Sequence, residues 1–278
     1  MRRKIFNGVG VIAVMLVLSA FAGATEEATG VLETGYRQMY NLDFGAAHES
    51  FTQWEQTHPE DPVGPASNAA AYLFGEFERL NILEVELFTH DDKFESRSKL
   101  LPDPSVKSAF DAELTKSDAI ANRVLAHSPR DADAMFARVL ANGLRGDYAS
   151  LVEKRNLASL SYMKNSRTLA EKLLAENPSY YDAYLAVGVE NYLLSQSPAP
   201  VRWLLRISGA ETDKSGGIAK LRLTAAKGHF LAPFARLLLA VAALRDKDRA
   251  SARNLLDGLA REFPRNQLYK KELDRIAP

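Results

Sequence analysis

Apolar residues recur at three- and four-residue intervals through most of this chain, the spacing that places them on one face of an α-helix. Four short strings interrupt the pattern in the same way. In "THPEDP", "AHSPRD", "AENPSY" and "REFPRN" an amphipathic stretch runs into proline and a polar turn, and in three of the four another amphipathic stretch follows. Proline stops a helix because its ring clashes with the preceding turn and it offers no backbone donor. No stretch of five or more residues alternates apolar and polar positions between turn signals, so no strand is expected. The pattern predicts an all-α chain of stacked helical hairpins.

The boundary prolines place hairpins at about 29–59, 64–129, 131–178, 181–228 and 231–264, with a terminal helix over 266–277. In the second hairpin a long first helix is expected over 64–90 and its partner over 103–127. Pro129 to Pro178 holds more than one repeat of roughly 34 residues. Its surplus lies at about 146–160, so the second helix there should be extended or broken near Arg155-Asn156. A second surplus at about 196–216 reads as a proline turn, a short apolar helix and a glycine-rich turn. Asp103-Pro104, Asp213 and Asp248 have the chemistry of helix starts, since an Asp carboxylate accepts from an orphan amide and Pro fits the first helical position.

Small and bulky residues fall where packed hairpins need them. The first unit has Gly35, Ala47, Phe51 and Pro59, with Thr34 and Gln38 where Leu and Tyr are usual. A later unit has Tyr184, Val187-Gly188 and Asn191, and the last has Leu239-Ala240, Ala252, Leu256, Leu259 and Pro264. Small residues at a crossing let two helix backbones approach while a bulky one fills the space beside them. In this pattern the chain resembles the tetratricopeptide repeat (TPR) superfamily, as an exported bacterial member. The resemblance implies a right-handed α-α superhelix that binds and does no chemistry. Segment 188–229 resembles, more narrowly, the inclusion body clearance family of TPR proteins, on Gly188, Leu193, Leu194, Ser195, Pro198, Gly209, Asp213 and Gly217. That likeness implies shared architecture.

The start of the chain bears on where it works. Arg2, Arg3 and Lys4 precede a nearly continuous apolar run from Val9 to Phe21, then Ala22-Gly23-Ala24. This is the layout of a secretory signal peptide, read as residues 1–24 with cleavage after Ala24. An uncleaved anchor is the other reading, but the run is shorter than the ~20 residues a span needs. The expectation is one helical domain over 25–278, periplasmic or secreted. Loss of three basic residues and no acidic one takes the formal charge from 0 to about −3. That is not the balance of a nucleic-acid binder. The chain has no cysteine, hence no disulfide, no thiolate ligand or nucleophile, and no site for a lipid anchor.

The first helix of each hairpin lines the concave side of such an array, where partners dock. The chosen groove candidates are Tyr36, Met39, Phe136, Leu140, Leu185, Val189 and Tyr192. Leu32, Asp133, Asp182, Phe234, Leu237, Val241 and Leu244 occupy equivalent positions. The lining is mostly apolar and suits a segment of a partner protein or peptide; alternatively the chain's own insertions fill it. Val201 to Ile207 could rest on an anionic membrane, though so short a segment more often packs as a lid. Enzyme chemistry finds little support. His48, His58, His90, His127 and His229 form no HExxH pair, and His58 and His127 sit where a helix C-terminus favours an imidazole. "THDDKFE" lacks the glycine and spacing of a calcium loop. "KSGG" lacks the P-loop context, and no serine stands in a nucleophile elbow. The reading is a non-enzymatic scaffold of a bacterial cell envelope, with no cofactor or metal. The alternative is a small-ligand-binding protein or hydrolase with a pocket roofed by 196–216.

Overall fold

A computed structural model describes residues 30–84, 100–195 and 213–277. Helix α1 covers 30–40 and pairs with α2 (Phe44–Thr57); α3 (Val63–Arg79) pairs with α4 (Pro104–His127). Next come α5 (Ala132–Asp147) with α6 (Asn156–Glu176), and α7 (Tyr184–Ser195) with α8 (Lys214–Lys227). Helices α9 (Ala232–Arg245), α10 (Arg249–Glu262) and α11 (Gln267–Arg275) close the chain. From α2 to α11 each helix packs on the next, and α3 also packs on α5. The fold is an all-α array of stacked helical hairpins, with no strand among the described residues.

The four proline strings build one turn four times. The residue before proline caps the outgoing helix: His58, Ser128, Asn177 and Phe263 donate their amides to Trp54, Val124, Leu173 and Leu259. Its carbonyl then accepts from the amide three residues on, Asp61, Asp131, Tyr180 or Asn266, at 3.0–3.1 Å. Proline suits the second position of such a turn because its φ is already set. In three copies the fourth residue turns its side chain to the incoming helix. Asp61 accepts from Val63 N at 2.9 Å, Asp131 from Ala134 N at 2.9 Å and Asn266 from Leu268 N at 3.0 Å.

The turns inside hairpins use different chemistry. Helices α1, α3 and α9 end with the residue after the cap in the left-handed region: Leu42, Asn81 and Lys247, at φ 62°, 54° and 61°. Each has the paired Schellman bonds, such as Ile82 N to Phe77 O at 2.7 Å and Asn81 N to Glu78 O at 2.9 Å. This cap corrects the expected 64–90 helix. It stops α3 at Arg79, without the proline or glycine that marks a helix end in sequence. Buried Glu76 then anchors the return, gripping Arg79 at 2.7 Å and accepting from Asp103 N at 2.8 Å. Asp103 caps α4 through Ser105 N, with Pro104 as the first helical residue. In the third hairpin a π-helical turn, Tyr148–Val152, and Lys154 at φ 57° separate α5 from α6, which starts at Asn156.

Small residues set the hairpin crossings. A Cβ on Gly35 would sit 2.4 Å from the Phe51 ring. Gly188 and Gly217 face each other across α7 and α8, where a Cβ on Gly217 would lie 2.9 Å from Tyr192 N and 3.0 Å from Gly188 O. Backbone cannot yield as a side chain can. Gly217→Ala should therefore destabilise the fold by roughly 1–3 kcal/mol, the usual range for overpacking, read as a lower urea midpoint at unchanged slope.

Candidate functional site

The ends of the array meet. Helix α1 and its following turn lie against the stretch from His229 to Tyr269, more than 180 residues away in sequence. Tyr36 stacks on Phe230 with ring centroids 4.7 Å apart, Tyr40 meets Phe263 at 5.3 Å, and Phe74 meets Phe234 at 5.5 Å. Polar bonds fix the register: Tyr40 OH donates to Phe230 O at 2.9 Å, and Asn266 Nδ2 to Tyr40 O at 2.9 Å. Arg265 N donates to Asn41 Oδ1 at 3.1 Å. Ion pairs line the rim: His229 with Glu33, Arg265 with Asp43 at 2.9 Å, and Lys271 with Glu84 at 2.5 Å. Beside the seam lies a cleft of about 440 Å³, bordered by Glu33, Thr34, Arg37, His229 and Glu262 over a floor of Tyr36, Tyr40, Phe230 and Phe263.

Asp182 positions the C-terminal side of this seam. It sits at the start of the fourth hairpin, 4 % exposed, and its carboxylate accepts from His229 N (3.1 Å), Phe230 N (3.1 Å) and Leu231 N (3.0 Å). These amides precede α9 and have no partner within the helix. Burial raises the Asp182 carboxyl above its ordinary range, opposed by the three amides and by nearby His229. Tyr180, two residues earlier, reaches the preceding hairpin: its hydroxyl donates to Asp133 at 2.9 Å and its ring packs on Phe136. Burial and the Asp133 carboxylate push the Tyr180 phenol far above its ordinary range.

A polar joint links α2, α3 and α4. His48 Nδ1 meets Asn68 Oδ1 at 2.6 Å, while Asn68 Nδ2 donates to Glu55 at 3.0 Å and Glu113 at 3.4 Å. Lys116 bonds the other oxygen of Glu55 at 2.5 Å, leaving Glu113 Oε2 buried without a hydrogen-bond partner. Burial and the neighbouring Glu55 charge push the Glu113 carboxyl up to about 7. Among the described residues no three His, Cys, Asp or Glu side chains are placed to hold a metal ion, and no helix is long and apolar enough to cross a membrane.

The groove candidates separate into two groups. Tyr36, Met39, Phe136 and Tyr192 are 3 %, 4 %, 0 % and 6 % exposed, so they are core residues here and not an open wall. The reason is closure of the array: the inner faces of the first and last units cover each other, and Tyr180 covers Phe136. Leu140, Leu185 and Val189 are half-buried. The notion that the insertions fill the groove lies partly outside the described residues, as do the signal peptide, "THDDKFE", Val201 to Ile207 and most of the 196–216 roof. His58 stacks on Trp54 with centroids 3.8 Å apart, and His127 Nδ1 meets Arg123 O at 2.9 Å, both at helix ends. Sequence reasoning missed the seam, the capping role of Asp182 and the Glu55–Glu113 joint. Only Asn266, repeating the cap place of Asp61 and Asp131, left a local signal.

No family model and no curated protein matches this chain. Among solved structures, a thermophilic TPR protein from Thermus thermophilus is similar at 15 % identity and a TM-score of 0.44, over 90 % of this chain and 98 % of that one.

Two outcomes follow from the polar contacts. Asp182→Ala strands three amides, each costing about 1–3 kcal/mol when left unpaired; denaturant melts should show a loss of roughly 3 kcal/mol or more. Glu113 has its folded pKa raised from 4.5, so its stabilising protonation is complete below about 4.5 and lost as pH rises through about 7. Glu113→Gln should match the wild type near pH 4.5 and exceed it in melting temperature at pH 8.

Proposed function

We propose that the chain is an exported, non-enzymatic scaffold of the bacterial cell envelope that binds a segment of another protein along the inner side of its hairpin array. The observation carrying this reading is the apolar and aromatic inner side itself. Its accessible part is formed by the half-buried Leu140, Leu185 and Val189, beside the buried Phe136. Stacked hairpins offer such surfaces to partners. The polar groups drawn together in the fold act in structure: Asp61, Asp131, Asp182 and Asn266 cap helices, while Glu55, Asn68 and Glu76 tie neighbouring ones. Export rests on the basic start, the apolar run and Ala22-Gly23-Ala24.

The pocket expected under 196–216 lies mostly outside the described residues; the seam cleft, at a different place, favours a small-ligand-binding reading, because its aromatic floor and mixed charges suit a small polar molecule.

Crosslinking of the tagged mature protein in cells, with mass spectrometry of what is captured, separates the two. The scaffold reading expects a small set of envelope proteins that disappears in a Leu140→Lys, Leu185→Lys variant of unchanged helicity. Saturable small-molecule binding with no protein captured would move the assignment to the cleft.

A further inference from the structure

The seam differs from the glycine crossings of the first and fourth hairpins. At Gly35 and at Gly188–Gly217 the contacts leave no room for one added carbon. At the seam, an apolar cavity of about 50 Å³ remains between Met39, Phe44, Phe74, Phe234 and Tyr269, and the open cleft lies alongside. Its ion pairs join exposed or half-exposed groups: Glu33 with His229, Asp43 with Arg265, Glu84 with Lys271. Such pairs contribute little and weaken with salt. The seam also joins inner faces, since Tyr36 and Met39 of the first unit meet the last unit, whose equivalent positions include Phe234 and Leu237. Each end of the array is thus the occupant of the other's concave surface.

We propose that the seam is a releasable autoinhibitory latch: the stretch from His229 to Tyr269 parts from the first hairpin, 30–57, and from Phe74 and Glu84 of the second, while the hairpins themselves stay folded, baring Tyr36, Met39, Phe230 and Phe234 for a partner segment. This rests on the scaffold reading above. A boundary with a cavity and solvent-exposed ion pairs can open below the free energy of global unfolding, and an array whose units touch mainly their neighbours can lose one long-range contact without losing the rest.

Native-state hydrogen exchange on the unmodified protein is the test. The amide of Arg265, which donates across the seam to Asn41 Oδ1, should become exchangeable at lower denaturant than those of 156–176, and earlier still at high salt. One common step for Arg265 and 156–176 overturns the latch. Asn41→Ala with Phe230→Ala should raise 1-anilinonaphthalene-8-sulfonate fluorescence severalfold at unchanged helicity. The chain has no native cysteine, so Glu33→Cys and His229→Cys joined by a short bis-maleimide should return that signal to baseline. Dye binding unmoved by the variant, or a dimer forming at baseline fluorescence, also overturns the proposal. If the latch opens but cells yield no captured protein, the scaffold reading fails alone; capture by the stapled form sinks the latch alone.

Discussion

The Asp182 carboxylate accepts from the three amides at 229–231, and the placing of the last hairpin follows from that contact. Those amides fix the backbone that carries His229 toward Glu33 and Phe230 beneath Tyr36. Without that acceptor the amides would be left unpaired or would turn to water, and the loop would lose the tie that sets its conformation. The tie also joins two hairpins at the start of their first helices, so it controls their mutual tilt. Small tilts add along an array. One buried carboxyl therefore bears on whether α1 and the α9–α11 segment come within contact distance.

Much of the fold was legible because its rules are local. Pro59, Pro129, Pro178 and Pro264 make the same turn, with the same pair of backbone bonds, and a reader needs only six residues to recognise each. Gly35 against Phe51, and Gly188 beside Gly217, follow from the need for small residues at close crossings. The end of α3 was not legible, since its Schellman cap uses Asn81 with no proline or glycine, and the apolar pattern runs on past it.

The candidate site was the least legible part, for a physical reason. Tyr40 meets Phe230 and Asn266 by bonds that span 190 and 226 positions. Nothing in the neighbourhood of either residue records the other. The concave positions were identified by place in the repeat, which an open array would expose and a closed one buries. Polar residues within helices were harder still. Asn68 and Glu76 read as solvent-facing by type, yet are 3 % and 2 % exposed because other polar groups meet them inside.

Closure also answers a problem that every stacked array has at its ends. A terminal repeat has one face with no neighbour, and arrays commonly cover it with a polar capping helix. Here α1 has the α9–α10 hairpin as its neighbour, and α11 covers what remains through Asn266 and Tyr269 beside Tyr40. Such an arrangement restricts the number of units, because inserting or deleting one hairpin would carry the ends past each other. It also couples the inner side to the ends: concave surface buried at the seam cannot be offered to a partner until the ends separate. The polar bonds that set the seam's register are few, and its ion pairs lie at the rim. Those rim pairs are more open to solvent than the glycine crossings of the first and fourth hairpins.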